Sequence, residues 1–277
     1  MDQQQPAAQP PDGSLICTIG DLILDVVVLP KAPLAHDGDT PATIRLTGGG
    51  QAANVAAWVS ALGARSRLIC SRGTDQAAQM AAADLQRRGV EICGPVITGA
   101  GGVVVSTREL DGARTMVSDP GVAGSLDAAA LDPAWVSTAD VLHISGYCLL
   151  RERQAQAAVA AARLAKRVTV DLASANDIEL FGVERFTALV RELAPDLVFA
   201  NEAERAVVRD LETDWVIKLG PRGAIFPEGH FAAGEVSAID STGAGDALAA
   251  GYLVGGPELA VATAARCVAA VGAMPIS

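Results

Sequence analysis

The chain has 277 residues, half of them hydrophobic and only 4% aromatic, with a formal charge of -11. That is enough for one large domain or two modest ones. The acidic balance and the scarcity of stacking side chains argue against a nucleic-acid partner, which would need a basic surface and aromatic platforms.

Residues 1–14 are rich in Gln and Pro and lack the basic and apolar regions of a signal peptide, so they are expected to form a disordered tail. Leu15 to Gly20 reads as a buried strand. Asp25 to Pro30 follows closely, ahead of a loop carrying Pro33 and Asp37-Gly38. Thr40 to Thr47 alternates like a strand exposed on one face. Gln51 to Gly63 predicts a helix closed by Gly63, Ser66 to Ser71 a strand, and Asp75 to Arg88 a helix ending at Gly89. This rhythm belongs to a parallel sheet covered by helices.

Between Val90 and Val117 the rhythm breaks into β-rich runs with no helix between them, and Asp111-Gly112 is a hairpin signal. With Val26 to Leu46, this segment is expected to form a small sheet projecting over the strand ends, where open α/β sheets bind ligands. From Ala139 the alternation returns. Strands at Asp140–Ser145, Arg167–Ala173 and Asp196–Ala200 alternate with helices at Glu152–Lys166, Val183–Leu193 and Glu202–Arg209. Asp214–Gly220 and Gly223–Pro227 predict a closing antiparallel pair. Helices at Gly243–Val254 and Pro257–Val271 finish the chain, with no uninterrupted apolar run that reads as a membrane span.

Five cysteines, Cys17, Cys70, Cys93, Cys148 and Cys267, form no CxxC pair and have apolar flanks, which suggests buried reduced thiols in a cytoplasmic protein. His143, inside an apolar run, reads as a core or rim residue.

The chemistry concentrates in Asp240 to Gly256, where Gly243, Ala244 and Gly245 precede Asp246 at a helix start. Unpaired N–H groups there favour an anion. An acid beside a static anion would repel it. For phosphoryl transfer the pairing makes sense: the amides stabilise the moving group while the carboxylate takes the proton of the attacking hydroxyl. Without other signals, a glycine turn with an Asp favouring the helix dipole is an equal reading. The fingerprint of a dinucleotide site and the Walker A loop are both absent.

A second stretch, TGGGQAANVAAW from Thr47 to Trp58, puts three glycines before a helix with Asn54 in its first turns. Together the two stretches resemble the signature regions of the ribokinase-like, or PfkB, family of sugar and nucleoside kinases. Gly49, Gly50 and Asn54 match its GG-x-x-x-N pattern, and Asp240, Thr242 and Gly243 to Asp246 match its D-[ST]-x-GAGD pattern. The resemblance spans Ile16 to the C-terminus. It implies an α/β three-layer sandwich over residues 15–277, with a mainly parallel central sheet and a small β-sheet lid with strands from about 26–46 and 90–118.

The same resemblance implies roles for single residues. Asp25 would bind substrate hydroxyls beside Gly49, Gly50 and Asn54, with Asp21 competing for the role. Asn201 and Glu204 match an N-x-x-E motif that organises Mg2+ and phosphate, Glu204 through water; a helix cap with a capping-box Glu is the structural alternative. Lys218, Gly220 and Gly223 resemble a nucleotide-side turn, Lys218 standing where Thr or Ser is common and either reaching a phosphate or facing solvent. Thr242 would join the nucleotide contacts, and the segment from Arg266 to Ala273 would line an adenine pocket.

The expected activity is transfer of the ATP γ-phosphate to a hydroxymethyl group of a small sugar, with Mg2+ and, as in some relatives, a monovalent cation. Arg45 or Arg114 could meet a charged substrate, but each reads more readily as a solvated strand residue. A nucleoside kinase and a non-catalytic sugar- or nucleotide-binding regulator are the alternatives. The resemblance also implies a homodimer through the lid sheet; neither nucleic acid nor membrane is expected as a partner.

Overall fold

The computed structural model describes residues 13–108 and 114–276. The expected tail lies mostly outside these residues, as does the Asp111-Gly112 turn. Ser14, assigned to the tail by sequence, is buried and donates its hydroxyl to Asp140 at 3.3 Å.

The strands are β1 (Leu15–Ile19), β2 (Ile23–Pro30), β3 (Ala42–Gly49), β4 (Arg65–Ile69), β5 (Glu91–Cys93), β6 (Gly102–Arg108), β7 (Arg114–Asp119), β8 (Val141–Ser145), β9 (Val168–Asp171), β10 (Leu197–Asn201), β11 (Asp214–Lys218), β12 (Ala224–Phe226) and β13 (Gly229–Phe231). The helices are α1 (Gln51–Ala61), α2 (Gln76–Arg87), α3 (Pro133–Ser137), α4 (Glu152–Ala162), α5 (Ala175–Phe181), α6 (Val183–Leu193), α7 (Glu202–Val207) and α8 (Ala244–Val268).

Nine strands form the main sheet in the order β13-β12-β11-β10-β9-β8-β1-β4-β5, parallel from β11 to β5 and antiparallel at β12 and β13. The chain builds outward from β1 to β4 and β5, then crosses back to β8. The strand order therefore reverses between β1 and β8, the point at which open sheets of this kind leave a crevice at their carboxyl ends.

β1 is buried along its whole length and splits its side chains between the two faces. Leu15, Cys17 and Ile19 enter a core with α4 and α6 residues, while Ile16 enters a core with Val55 and Trp58 of α1 and Leu248 and Tyr252 of α8. That alternation explains why the strand reads as a continuous apolar run and makes the sheet the middle of three layers. His143 on β8 is a core residue, as its apolar setting predicts. It is hydrogen-bonded to Thr169 at 2.9 Å and set edge-on to Phe199, and burial lowers its pKa to about 3.

The second sheet has the order β3-β2-β6-β7, with β2 and β6 parallel and the other pairs antiparallel. Its first strand, β2, begins directly after β1, so the sheet rises from the carboxyl end of β1 beside the crevice. Leu24 and Val103 pack with Ala81 and Leu85 of α2. Farther out, Ile44, Leu46, Val105 and Val117 are exposed.

Several elements differ from the sequence reading. Glu91–Cys93, placed in the small sheet by sequence, is the edge strand of the main sheet, because Arg67 opposite it grips Glu91 at 2.8 Å and the register aligns Ile69 with Cys93. Helix α5 was not anticipated, although Ser174 caps it by accepting from the Asp177 amide. Helix α4 stops four residues early, at Ala162. α8 carries the break expected between two helices, at Gly255 and Gly256, with Pro257 opening its second part. This helix is the one among the described residues long and apolar enough to cross a membrane, but 56% of that window is buried inside the protein.

Candidate active site

The carboxyl ends of β8, β9, β10 and β11 bring Ser145, Asp171, Asn201 and Lys218 to one edge of the sheet. The start of α8 approaches the same edge through a turn held by Asp240. One Asp240 oxygen accepts from the Thr242 amide at 3.0 Å and hydroxyl at 2.6 Å, and the other accepts from the Gly272 amide at 2.9 Å. Gly243 adopts the left-handed region, φ +74°, and a Cβ there would lie 2.6 Å from the Ala273 Cα. The turn can therefore be made only by glycine. The first i→i−4 bond of the helix runs from the Ala247 amide to Gly243 at 2.9 Å, so the Gly245 and Asp246 amides fall in the first turn, where a helix leaves its donors unpaired.

Asp246, partly exposed in that turn, accepts a 2.7 Å hydrogen bond from the Asn54 amide group. The two glycine-rich stretches thus meet across 192 residues of chain. Burial, with the negative charge of Asp171, pushes the Asp246 carboxyl up to about 7 against the opposing pull of Asn54 and Lys218. Asn54, expected to bind substrate, donates to this acid; its Oδ1 is buried without a protein partner.

Lys218 does not face solvent. Its ammonium is 2.6 Å from Asp171, which is fully buried, and it lies directly under the turn: a Cβ added to Gly245 would be 3.3 Å from both the Lys218 Cδ and Nζ. Although burial works against the charge, Asp171 and Glu204 hold the Lys218 pKa above its ordinary value. Lys218 also lines a cleft of about 420 Å³ with Gly220, Gly223, Ala244, Gly245, Leu248 and Val268. Within the expected Arg266 to Ala273 segment, Val268 faces this cleft, whereas Arg266 lies over the Trp58 ring, 5.7 Å from its centroid.

On the other side of Asp246, the Asp25 carboxyl lies against Gly49, where a Cβ would overlap it. Asp21, the competing acid, is fully engaged. It accepts from Arg151 at 2.7 Å and Gln154 at 2.8 Å, and its backbone carbonyl packs against Gly50. Gln51 is fixed by Ser145 at 2.6 Å and by the Leu172 carbonyl at 3.2 Å. The Gly48 amide donates to Asp84 of α2 at 3.0 Å, which anchors the glycine run from behind.

Asn201 and Glu204 form a complete capping box, with three hydrogen bonds of 2.7 to 2.9 Å between them. Burial raises the Glu204 carboxyl to about 7. Among the described residues no group of three or more His, Cys, Asp or Glu can cage a metal. This donor set fits a hard cation held mainly by phosphate oxygens and water, the way Mg2+ is commonly bound. Arg45 is exposed on β3, and the Arg114 side chain lies outside the described residues. All five cysteines are free and buried, and burial pushes Cys17, Cys70 and Cys267 up to about 12, far from reactive thiolates.

The sequence reading missed Asp171. Its signal was available: an acid near the end of the β-rich run from Arg167 to Ala173.

Comparison with known proteins shows the family and the fold. A family model described as pfkB family carbohydrate kinase matches residues 14–277. An ATP-dependent ribose-1-phosphate kinase of Halopiger xanaduensis is 31% identical over 253 residues, 84% of this chain and 80% of that protein. Among solved structures, an adenosine kinase from Sinorhizobium meliloti superposes with a TM-score of 0.82 at 22% identity, covering 96% of this chain and 97% of the other. A structure from E. coli assigned to ribokinase II, in complex with ATP and Mg2+, gives 0.79 at 21% identity over 94% of both chains. At these identities the two structures establish the shared fold.

Proposed function

The chain belongs to the pfkB family of carbohydrate kinases, and from that premise we propose that it moves the γ-phosphate of ATP to a hydroxymethyl group of a small sugar, with Asp246 as general base and the Gly243–Gly245 turn as anion hole. The observation that carries this reading is the Asn54–Asp246 hydrogen bond, which joins both glycine-rich stretches at one carboxylate. A base with a pKa of about 7 is ionised at and above neutrality and still basic enough to accept a proton as the alcohol attacks.

The acceptor lies between Asp25 and the Gly49-Gly50 backbone, where a carboxylate can take two hydroxyl hydrogen bonds. ATP lies in the cleft beside Gly220, Gly223 and Val268, its phosphates toward Lys218 and the α8 turn. Thr242, on the nucleotide side, steadies that turn by donating its hydroxyl to Asp240. Glu204, beside Asn201, holds Mg2+ through water; when bound, the ion neutralises charge on the triphosphate. The small sheet covers the acceptor and excludes water. Its outer apolar face, with Ile44, Leu46, Val105 and Val117, supports pairing of two chains, which sedimentation would report.

The ribose-1-phosphate kinase relative directs the acceptor toward a pentose, free or phosphorylated. The test is ADP release with ribose, ribose 1-phosphate, fructose, a ketodeoxy sugar acid and adenosine. Turnover is expected with a pentose acceptor. Turnover with adenosine alone would make the protein a nucleoside kinase, and binding without turnover on any acceptor would make it a regulator.

A further inference from the structure

In the site described above Asp171 contacts neither acceptor nor nucleotide and acts only as a neighbouring charge, yet its position is unusual. It is fully buried at the end of β9, with Oδ1 bonded to Lys218 at 2.6 Å and Oδ2 without a protein partner. A buried ion pair is a weak source of stability, because the desolvation of both ions offsets their attraction; two apolar side chains commonly serve a fold as well or better. Lysine also carries its charge on a flexible four-carbon stem that readily reaches for solvent. Here solvent is close, because Lys218 lines the open cleft. Something must hold the ammonium inward, under Gly245, and Asp171 is the group that touches it.

Resting on the site reading above, we propose that Asp171 is a positioning residue for phosphoryl transfer: it fixes the Lys218 ammonium against the Gly245 backbone, so that a positive charge stands where the transferred phosphoryl group is held. Two consequences follow from the geometry. The charge acts on the terminal phosphates of the nucleotide and hardly at all on a nucleotide that lacks them. The effect of Asp171 on nucleotide binding runs through Lys218, which it touches, so the two side chains are thermodynamically coupled in that binding.

The experiment is calorimetric titration of ATP, ADP and AMP into the wild type, Asp171→Asn, Lys218→Met and the double variant, with kcat and KM for ATP measured on the same preparations. Lys218→Met is expected to weaken ATP binding about tenfold and AMP binding less than twofold, the size of one lost charge–phosphate contact. Asp171→Asn is expected to weaken ATP several-fold in the wild-type background and not at all in the Lys218→Met background, roughly the coupling of residues in direct contact. Removing both charges leaves no lone buried ion, so the double variant is expected to melt no lower than either single one.

The inference is overturned if folded Asp171→Asn matches wild type in ATP affinity, KM and kcat, if AMP is weakened as much as ATP, or if the effect persists without Lys218. Should Asp171→Asn fail to fold, Asp171→Glu, which keeps the carboxylate and moves it by one methylene, takes its place. A fall in kcat of about fivefold with AMP affinity unchanged supports the role, and a kcat within twofold of wild type removes it. Asp246→Asn separates this test from the site reading. If that variant turns over normally, the site itself is misassigned; if it is inactive while Asp171→Asn is normal, only the role of Asp171 falls.

Discussion

Two glycine-rich turns open helices in this protein, and they use glycine for different ends. Before α1, Gly49 makes room for a carboxylate, Asp25, and the first turn of the helix contains no acid of its own. In the first turn of α8, Gly245 makes room for a cation, Lys218, and the same turn contains Asp246. On the proposed reading one turn presents acceptors to hydroxyl groups, and the other presents donors and a positive charge to an anion. Asn54, from the first helix, reaches the acid of the second and brings the two surfaces into one site. The same residue type at the same kind of helix start thus has charges of opposite sign packed behind it, and in the proposed function that charge sets the ligand class.

The hardest way to break this contrast is to remove the acid from the second turn. Asp246→Asn keeps the shape and can keep a hydrogen bond to Asn54, but it cannot accept a proton. A fall in kcat of about 10² to 10⁴ is expected, the range for loss of a general base, with ATP affinity within about twofold of wild type. Single-turnover kinetics with calorimetry would check both. Retained turnover would mean that the second turn, like the first, only binds.

A smaller but sharper probe adds one methyl to each turn. Gly49→Ala drives a Cβ onto the Asp25 carboxyl, a collision a short side chain can relieve only by moving the acid. We expect a KM for the acceptor raised about tenfold and a stability loss of about 1–3 kcal/mol, the usual cost of overpacking. Gly245→Ala places its Cβ 3.3 Å from the Lys218 stem, which can give way by a few tenths of an ångström. Replacing a helical glycine by alanine gains roughly 0.5–1 kcal/mol, so this variant is expected to melt no lower than wild type while losing a few-fold in kcat. Thermal melts and steady-state kinetics on the pair decide the matter: equal effects on acceptor KM would erase the division of labour.

How much of this was readable beforehand depended on the range of the interaction. The helix starts at Gln51 and Ala244, the capping box at Asn201 and Glu204, and the break before Pro257 are local, and the sequence carries their signals within a few residues. Continuous apolar runs likewise marked the buried strand β1 and the core or rim setting of His143. The Lys218–Asp171 pair joins strand ends 47 residues apart, and only the sheet order makes them neighbours; from the sequence, Lys218 could equally have faced water. The short strand β5 was misplaced for the same reason. Three residues carry too little pattern to choose a sheet, and the choice is made by Arg67 across the register. Asp21 looked equivalent to Asp25 until Arg151 and Gln154, from a distant part of the chain, claimed both of its oxygens.

The smallest expected effect concerns pH. The Asp246 carboxyl in the folded protein is pushed up to about 7, above the ordinary aspartate value near 4, chiefly because the surrounding protein shields it from much of the solvent. Between those values the folded state binds more protons than the unfolded state. The stabilising contribution is therefore full below about pH 4 and is lost as pH rises through about 7. A carboxamide does not titrate, so Asp246→Asn is expected to gain on wild type as pH rises from about 5 to about 8. Glu204, raised to about 7 in both proteins, slopes both curves alike and cancels in the difference. Because Asp246 is partly exposed, solvent screening reduces the gain to about 1–2 kcal/mol, a shift of a few degrees in Tm. Urea unfolding of both proteins at the two ends of that pH range would measure it. The first turn, with no acid after its glycines, has no such signature to lose, so a gap that stays constant with pH would show that the carboxylate of the second turn ionises as an ordinary surface acid and is not poised to take a proton at neutrality.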